Sequence, residues 1–204
     1  APNRRGEVRL IGGRYRRRKL PVTDAPGLRP TPERVRETLF NWLGQELAGW
    51  RVLDAFAGSG ALGFEAASRG ASEVLLLESD ASLVRTLSQA RQSLGASEIR
   101  IERADAWAWM ARGPGSNFDL VLLDPPFGID RFADALRLAV PLLAPQGMIY
   151  LEADRSFAAD PMLAALGLQD WRRTRAGAVH AHLLRRATDT GAAPEPGLGL
   201  NCRP

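Results

Sequence analysis

Four consecutive residues near the middle of the chain, Asp124-Pro125-Pro126-Phe127, have types and an order that suit chemistry on a nucleobase. They follow an apolar run, residues 120–123, that predicts a buried strand. The prolines fix the backbone and remove two N–H donors, so this corner presents only acceptors. Acceptors beside a phenyl ring suit a planar amino group, although Asp-Pro-Pro is also an ordinary turn after a strand.

A second set of candidate residues follows the first predicted strand of the main sheet, which ends at Asp54. Residues 58–63 have the spacing G-x-G-x-x-G, and the next strand ends in an acid, Glu78, where such folds bind ribose hydroxyls. Ligands of open α/β sheets bind outside the carboxyl ends of the strands, so the glycines, Glu78 and Asp124 should converge. Asp54 would oppose a pyrophosphate but suits an ammonium group, and a Pro-Pro corner has no role in hydride transfer. The pattern therefore favours S-adenosylmethionine over a dinucleotide.

Alternating strands and helices predict the scaffold that positions these residues. A helix with Thr31 as its N-cap and Pro32 in its first turn is predicted to stop near Gly49. Beyond it, apolar strands alternate with helices, which predicts an α/β fold with a parallel sheet covered on both faces. The predicted strands are 51–56, 73–78, 99–102, 119–124 and 147–152, the helices are 62–68, 81–94, 106–111, 131–143 and 157–166, and a closing hairpin covers 169–174 and 178–185.

The N-terminal region is predicted to be a basic β-hairpin, with strands over 8–11 and 14–22 joined at Gly12-Gly13. The first twenty residues contain a single acid, Glu7, against Arg4, Arg5, Arg9, Arg14, Arg16, Arg17, Arg18 and Lys19. Such a cluster on a near-neutral body is typical of a polyanion binder, although a merely solubilising arm has the same composition. Tyr15 among the arginines suits RNA, whose bases stack on aromatic rings.

Composition excludes several classes of protein. The 204 residues, 45% hydrophobic and 25% charged, fit one globular domain, and no apolar run approaches the ~20 residues of a membrane span. The arginine-rich N-terminus predicts no secretory signal, and Cys202 is the sole cysteine, so disulfides, a metal site and an oxidising compartment are not expected. A cytoplasmic protein is the expectation. His180 and His182 are predicted on the surface of an edge strand.

Six segments together resemble one family, the bacterial small-subunit (16S) ribosomal RNA guanine-N2 methyltransferases that modify a guanine in the head region. The glycine loop and Asp-Pro-Pro-Phe occur in many amino-methyltransferases, whereas the basic hairpin and the Arg-Pro-Thr helix start are more particular. The segments are RLIGG (9–13), RRKL (17–20), LRPT (28–31), RVRETLFNWL (34–43), LDAFAGSGALG (53–63) and DPPF (124–127).

The resemblance implies a class I methyltransferase fold, Rossmann-like, with a mostly parallel seven-stranded sheet whose last strand is antiparallel. Residues 1–30 would be the basic hairpin and linker, 31–187 the methyltransferase domain and 188–204 a flexible tail. It implies S-adenosylmethionine binding by Asp54, Phe56, Ala57, Gly58, Gly60, Glu78, Asp105 and Ala106. RNA contacts are expected at Arg14, Arg16, Arg17, Arg18, Lys19 and Arg29. Asp105 also has the position of an ordinary helix N-cap.

The predicted reaction is methyl transfer to the exocyclic N2 of a specific guanine in 16S rRNA. Asp124 and the Pro125 carbonyl would accept the amino hydrogens while Phe127 stacks on the extruded base. The substrate would be ribosomal RNA within the small subunit or an assembly intermediate, and the enzyme a monomer. The alternatives are a DNA adenine-N6 or cytosine-N4 methyltransferase, a protein-glutamine methyltransferase, and a catalytically silent RNA-binding factor.

Overall fold

The computed structural model describes residues 6–22, 31–113, 115, 117–126 and 130–188. It begins with an antiparallel hairpin of β1 (Gly6–Arg9) and β2 (Lys19–Val22). The predicted strands were too long and their Gly12-Gly13 turn too tight, because residues 10–18, called the tip here, fold onto another part of the protein. In the tip, the Arg14 N–H donates to the Ser68 carbonyl (2.7 Å) instead of to a partner strand.

The first helix, α1 (Glu33–Trp42), differs from the prediction at both ends. Pro32 occupies the N-cap position without a side-chain cap, and Thr31 is buried and hydrogen-bonded to Glu152 instead. The helix ends before Gly49, because the chain turns at Gly44, whose φ of 87° is the left-handed conformation that glycine adopts without strain.

Beyond α1, strands and helices alternate as predicted. The elements are β3 (Arg51–Asp54), α2 (Ala61–Ser68), β4 (Glu73–Glu78), α3 (Ala81–Leu94), β5 (Ile99–Arg103), α4 (Ala106–Ala111), β6 (Phe118–Leu123), α5 (Phe132–Ala139) with a 3-10 turn (Val140–Leu142), β7 (Leu143–Ala153), α6 (Pro161–Ala165), β8 (Leu168–Ala176) and β9 (Val179–Arg186). The last two helices are shorter than predicted. Asp160 caps the Met162 N–H (3.0 Å) at the start of α6, and Pro141 lies in the 3-10 turn that follows α5.

The seven strands of the main sheet are ordered β5-β4-β3-β6-β7-β9-β8. Six of them run in the same direction, and β9 runs antiparallel between β7 and β8. The predicted fold class, with its antiparallel last strand, is therefore confirmed. One detail was wrong: β9 is paired on both sides, so His180 and His182 are not on an edge strand, and His182 is fully buried against Asp170 (3.1 Å).

Hydrophobic clusters cover both faces of the sheet, and the hairpin belongs to one of them. Val8, Leu10 and Leu20 pack in the same cluster as α1 and α2. Tyr15 is also buried there, with 6% of its surface exposed, so its ring is not available to stack on a base as predicted. Among the described residues, no helix combines the length and apolar character that crossing a membrane requires.

Candidate active site

Three acidic side chains meet at the carboxyl edge of the sheet, where β3, β4, β6 and β7 end. Asp54 ends β3, Asp124 follows β6, and Glu152 is the penultimate residue of β7. The register pairs Asp54 with Leu122, and the pairing of Leu123 with Leu151 puts Asp124 beside Glu152. Side chains two residues apart on a strand share a face, so Asp54, Asp124 and Glu152, called the carboxylate cluster here, lie on one face of the sheet.

Burial raises the pKa of every member of the carboxylate cluster, and the charges of neighbouring carboxylates add to this at Asp54 and Asp124. Burial, with the charges of Glu78 and Glu152, raises the pKa of Asp54 to about 7. A hydrogen bond from the Gly63 N–H acts in the opposite direction and lowers it. The pKa of Asp124 is raised well above its usual value by burial and then by the charges of Glu152 and Asp54. Asp124 retains some solvent exposure although protein atoms surround it. The cluster is therefore an environment that a bound cation would stabilise.

The glycine loop between β3 and α2 is tied directly to the acid at the end of β4. The Gly58 N–H donates to one carboxylate oxygen of Glu78 (3.0 Å), and the Asp80 N–H donates to the other (2.9 Å). Gly58 and Gly60 have φ of 51° and 77°, and a Cβ at Gly60 would lie 2.6 Å from the Leu87 side chain. Conformation therefore favours glycine at both positions, and the close Leu87 side chain adds a steric reason at Gly60.

The start of α4 lies near the glycine loop, where Trp107 contacts Phe56. The Asp105 carboxylate accepts the Ala108 N–H (2.8 Å), so it is an N-cap as well as a candidate contact for adenine, and Ala106 is buried. The Phe56 ring lies 5.1 Å from the Trp107 ring, centroid to centroid, and Arg131 covers Trp107 at 4.0 Å. The predicted cofactor residues Asp54, Phe56, Ala57, Gly58, Gly60, Glu78, Asp105 and Ala106 thus surround one end of the sheet.

The acceptor corner lies at the same edge. Pro125 is buried and Pro126 is exposed, so the chain leaves the sheet directly after Asp124. Phe127, the predicted stacking residue, lies outside the described residues. The corner therefore presents a carboxylate near Asp54, where the glycine loop begins, and this carboxylate can accept an amino hydrogen.

Comparison with known proteins identifies the enzyme family of this chain. Residues 8–185 match the family model described as Conserved hypothetical protein 95. The ribosomal RNA small subunit methyltransferase D of Escherichia coli K12 is 42% identical over 151 residues, covering 73% of this chain and 76% of that protein. Its Haemophilus influenzae counterpart is 43% identical over 159 residues, with 76% and 82% covered.

This chain belongs to that methyltransferase family. Solved structures agree: the putative methyltransferase yhhF of Escherichia coli superposes with a TM-score of 0.77 at 34% identity, covering 89% of this chain and 98% of that one. A Thermus thermophilus 16S rRNA N2 G1207 methyltransferase, in complex with AdoMet and guanosine, superposes with a TM-score of 0.68 over 90% of this chain and 50% of that one. At 23% identity it shows the fold alone. The methyltransferase relatives agree with S-adenosylmethionine, the cofactor expected from Asp54 and the proline corner, and the Thermus thermophilus protein is described as bound to it.

The residues at the carboxyl edge fit this cofactor. S-adenosylmethionine carries positive charge on its sulfur and its ammonium group, and the carboxylate cluster supplies negative charge that is costly without a cation. Each carboxylate oxygen of Glu78 accepts one backbone N–H and keeps a second lone pair for a hydroxyl hydrogen. The described residues contain no group of three or more His, Cys, Asp or Glu side chains that could hold a metal ion.

Sequence reasoning missed several residues of the methyltransferase site. Glu152 is buried and accepts the Tyr150 hydroxyl (2.9 Å) and the Thr31 hydroxyl. Arg36 donates to the Thr31 carbonyl (3.3 Å) and lowers the pKa of Glu152 through its charge. The signal was present, since an acid near the end of an apolar strand, as at Asp124, is unusual unless it is paired or functional.

The predicted RNA-binding arginines of the tip lie at the amino ends of the strands, opposite the carboxyl ends where the carboxylate cluster lies. Arg14 bonds Glu98 (2.9 Å), just before β5 begins, and Arg18 donates to the Ser93 carbonyl (3.4 Å) near the end of α3. Both anchors are at the amino ends of the strands, and Ser68, which accepts the Arg14 N–H, is about 12 Å along α2 from the glycine loop. Arg16 and Arg17 are exposed, Lys19 pairs with Glu7 (2.6 Å), and Arg29 lies outside the described residues. The structure therefore does not bring the tip arginines and the carboxylate cluster together.

Proposed function

We propose that this methyltransferase transfers the methyl group of S-adenosylmethionine to the exocyclic N2 of a specific guanine in 16S ribosomal RNA. The observation that carries the proposal is the acceptor corner. There, the Asp124 carboxylate and the Pro125 carbonyl follow a buried strand at the carboxyl edge of the sheet. The relatives named as ribosomal RNA small subunit methyltransferases support an RNA substrate. The N2 methyltransferase bound to guanosine is an example of this fold holding the proposed target base.

The carboxyl edge supplies a partner for each polar group of the cofactor. Glu78 would accept the ribose hydroxyls, Asp54 would face the ammonium group, and Asp105 with Ala106 would lie against the adenine. The backbone from Phe56 through Ala57 and Gly58 to Gly60 would line the space between them. When bound, S-adenosylmethionine supplies a methyl group activated by the positive sulfur.

The exocyclic nitrogen of guanine is a weak nucleophile, because its lone pair is delocalised into the ring. Asp124 and the Pro125 carbonyl would accept its two hydrogens, which favours a pyramidal nitrogen and orients its lone pair toward the methyl carbon. Phe127 would hold the base by stacking. Most of the catalysis would then come from positioning and electrostatics, with Asp124 able to take the proton that the product loses.

The substrate base must be unpaired or extruded, because a duplex hides its amino group. We propose residues 31–187 as the methyltransferase domain, 1–30 as a basic extension that contacts RNA, and 188–204 as a tail. A folded partner such as the small subunit or its assembly intermediate would supply specificity to a monomeric enzyme. The relatives named as ribosomal RNA methyltransferases disfavour the DNA methyltransferase alternative, and the intact Glu78 and Asp124 disfavour a silent RNA-binding factor.

The test is transfer of labelled methyl to three substrates: small subunits from an unmethylated source, protein-free 16S rRNA, and duplex DNA. The expected product after nucleoside digestion is N2-methylguanosine from subunits or rRNA, lost with Asp124→Ala. The subunit-to-rRNA ratio would show whether ribosomal proteins shape the site. Label in DNA alone, or in no nucleic acid despite cofactor binding, would overturn the proposal.

A further inference from the structure

Asp124 and Glu152 lie side by side on neighbouring parallel strands. Leu123 of β6 pairs with Leu151 of β7, so the next residue of each strand stands opposite the other, on strands about 4.8 Å apart. Both side chains face the same side of the sheet; Glu152 is buried, and Asp124 is half-buried with protein atoms around it. Two carboxyl groups this close, and this far removed from bulk water, resist ionising together.

The hydrogen-bond donors and charges around Glu152 differ from those around Asp124. Glu152 accepts hydroxyl hydrogens from Tyr150 (2.9 Å) and Thr31, and the positive charge of Arg36 lowers the pKa of Glu152. Asp124 is influenced instead by the negative charges of Glu152 and Asp54, and Glu78 of β4 adds its charge at Asp54. Hydrogen bonds and the guanidinium thus stabilise the negative charge on Glu152, which leaves a proton on Asp124.

A protonated Asp124 conflicts with the proposed reaction, because one of its oxygens would donate a hydrogen bond where the guanine amino group also donates. The carboxyl group has to lose its proton before it can accept the amino hydrogens. A positive charge entering the site would favour that loss. The chemistry of the methyl donor supplies such a charge, and its removal accompanies the reaction.

We propose that Asp124 and Glu152 share one proton in the free enzyme, and that this proton leaves when the positively charged methyl donor binds. The inference rests on the proposed role of Asp124 and makes Glu152 a positioning residue that acts through it. The nitrogen–carbon bond forms as the carbon–sulfur bond breaks with its electron pair left on sulfur. Asp124 then takes the proton that the nitrogen loses, so the pair regains its proton as the site loses its positive charge.

The test compares S-adenosylmethionine with S-adenosylhomocysteine, which has the same ammonium group but a neutral sulfur. Titration calorimetry in buffers of different ionisation enthalpy counts the protons released on binding, scanned from about pH 6 to about pH 9. In the pH range where the pair holds one proton, S-adenosylmethionine should release up to about one proton more than S-adenosylhomocysteine.

Two variants assign that difference to the pair. Glu152→Gln keeps the size of the side chain and an oxygen for the Tyr150 hydroxyl, and Asp124→Asn changes the other member, so the test survives if one variant does not fold. In each, the two ligands should release equal numbers of protons. Asp54→Asn is the control, because it should lower the number released by both ligands; without its charge the pH range of the difference moves, but the maximum difference across the scan should stay the same.

Equal release by the two ligands in the wild type, or a difference that persists in both pair variants, would overturn the inference and leave Glu152 a structural role. The proposed function fails separately, through the absence of N2-methylguanosine from RNA. A proton difference measured in an enzyme that does not methylate RNA would retain the inference and reject the proposed substrate.

Discussion

Two buried acidic sites on the same side of the sheet differ in how their charge is balanced. Glu65 of α2 is fully buried. Its carboxylate oxygens accept hydrogen bonds from the Arg69 guanidinium (2.9 Å) and from the backbone N–H groups of Ile11 (2.8 Å) and Gly12 (2.9 Å). Arg36 adds a second cation, with its Nη1 3.5 Å from a Glu65 oxygen. The charge of Glu65 is thus matched by cations and donors within the protein, and the site holds the tip onto the domain.

The carboxylate cluster is the opposite case. It brings three carboxyl groups together under the influence of Arg36, and burial raises the pKa of each. The comparison teaches that burial of an acid does not by itself indicate its role. A paired acid stabilises structure, whereas acids that exceed the available cations form a site for a positively charged ligand.

The largest expected effect is on stability, at Glu65. Glu65→Ala should lower the free energy of unfolding by about 3–5 kcal/mol, because it leaves the Arg69 guanidinium buried without its anion and removes one of the carboxylates near Arg36. Urea unfolding measures it, and Glu73→Gln is the control, since Glu73 forms an exposed pair with Arg51 and should cost at most about 1 kcal/mol. Equal losses in the two variants would mean that the buried pairs do not hold the tip.

Next in size is the effect of Asp124→Asn on turnover. The amide keeps the shape of the side chain but presents an N–H group where an acceptor is needed, so kcat should fall about 100- to 1000-fold. The Kd for S-adenosylmethionine should change by much less. Single-turnover kinetics and equilibrium binding separate the two quantities, and equal losses in both would indicate that Asp124 is structural.

Asp54 should make the free protein lose stability as pH rises. Its folded pKa of about 7 exceeds the ordinary value of 3.8, so the folded state holds the proton more tightly than the unfolded state between these values. Over this window the free energy of unfolding should fall by about 1 kcal/mol per pH unit because of Asp54. Asp54→Asn should remove that component from urea unfolding measured at several pH values; parallel pH profiles for wild type and variant would contradict the assignment.

The smallest expected effect concerns the tip. Its exposed arginines, Arg16 and Arg17, are compared with Arg14, whose charge is already paired. Arg16→Ala with Arg17→Ala should reduce the slope of log Kd for 16S rRNA against log salt concentration by about 1–2. Because the tip is at the edge opposite the carboxylate cluster, kcat at saturating RNA should not change. Arg14→Ala is the comparison, since Arg14 is already paired with Glu98, and its slope should change less. An unchanged slope in the double variant would remove the tip from the RNA interface.

The elements of the fold were predictable because they depend on local patterns. Apolar runs and helical periodicity placed β4, α3 and α4 at their observed bounds, and the strand-helix alternation predicted a parallel sheet. The errors fell where a distant contact overrides a local preference. Thr31 has an N-cap residue type but bonds Glu152, and Tyr15 is surrounded by arginines but packs in the core.

By itself, the sequence determined the chemical groups of the site, since the glycine spacing, Glu78 and Asp124 follow their strands and share an edge in any parallel sheet. It also determined that the N-terminal region is basic. The tertiary structure decided which charges meet, because ion pairs depend on distances between residues far apart in the chain. Registering β6 against β7 put Glu152 beside Asp124, and packing the tip on α2 put its arginines at the far edge. Neither arrangement is encoded by any short segment, since each is set by how separate elements pack.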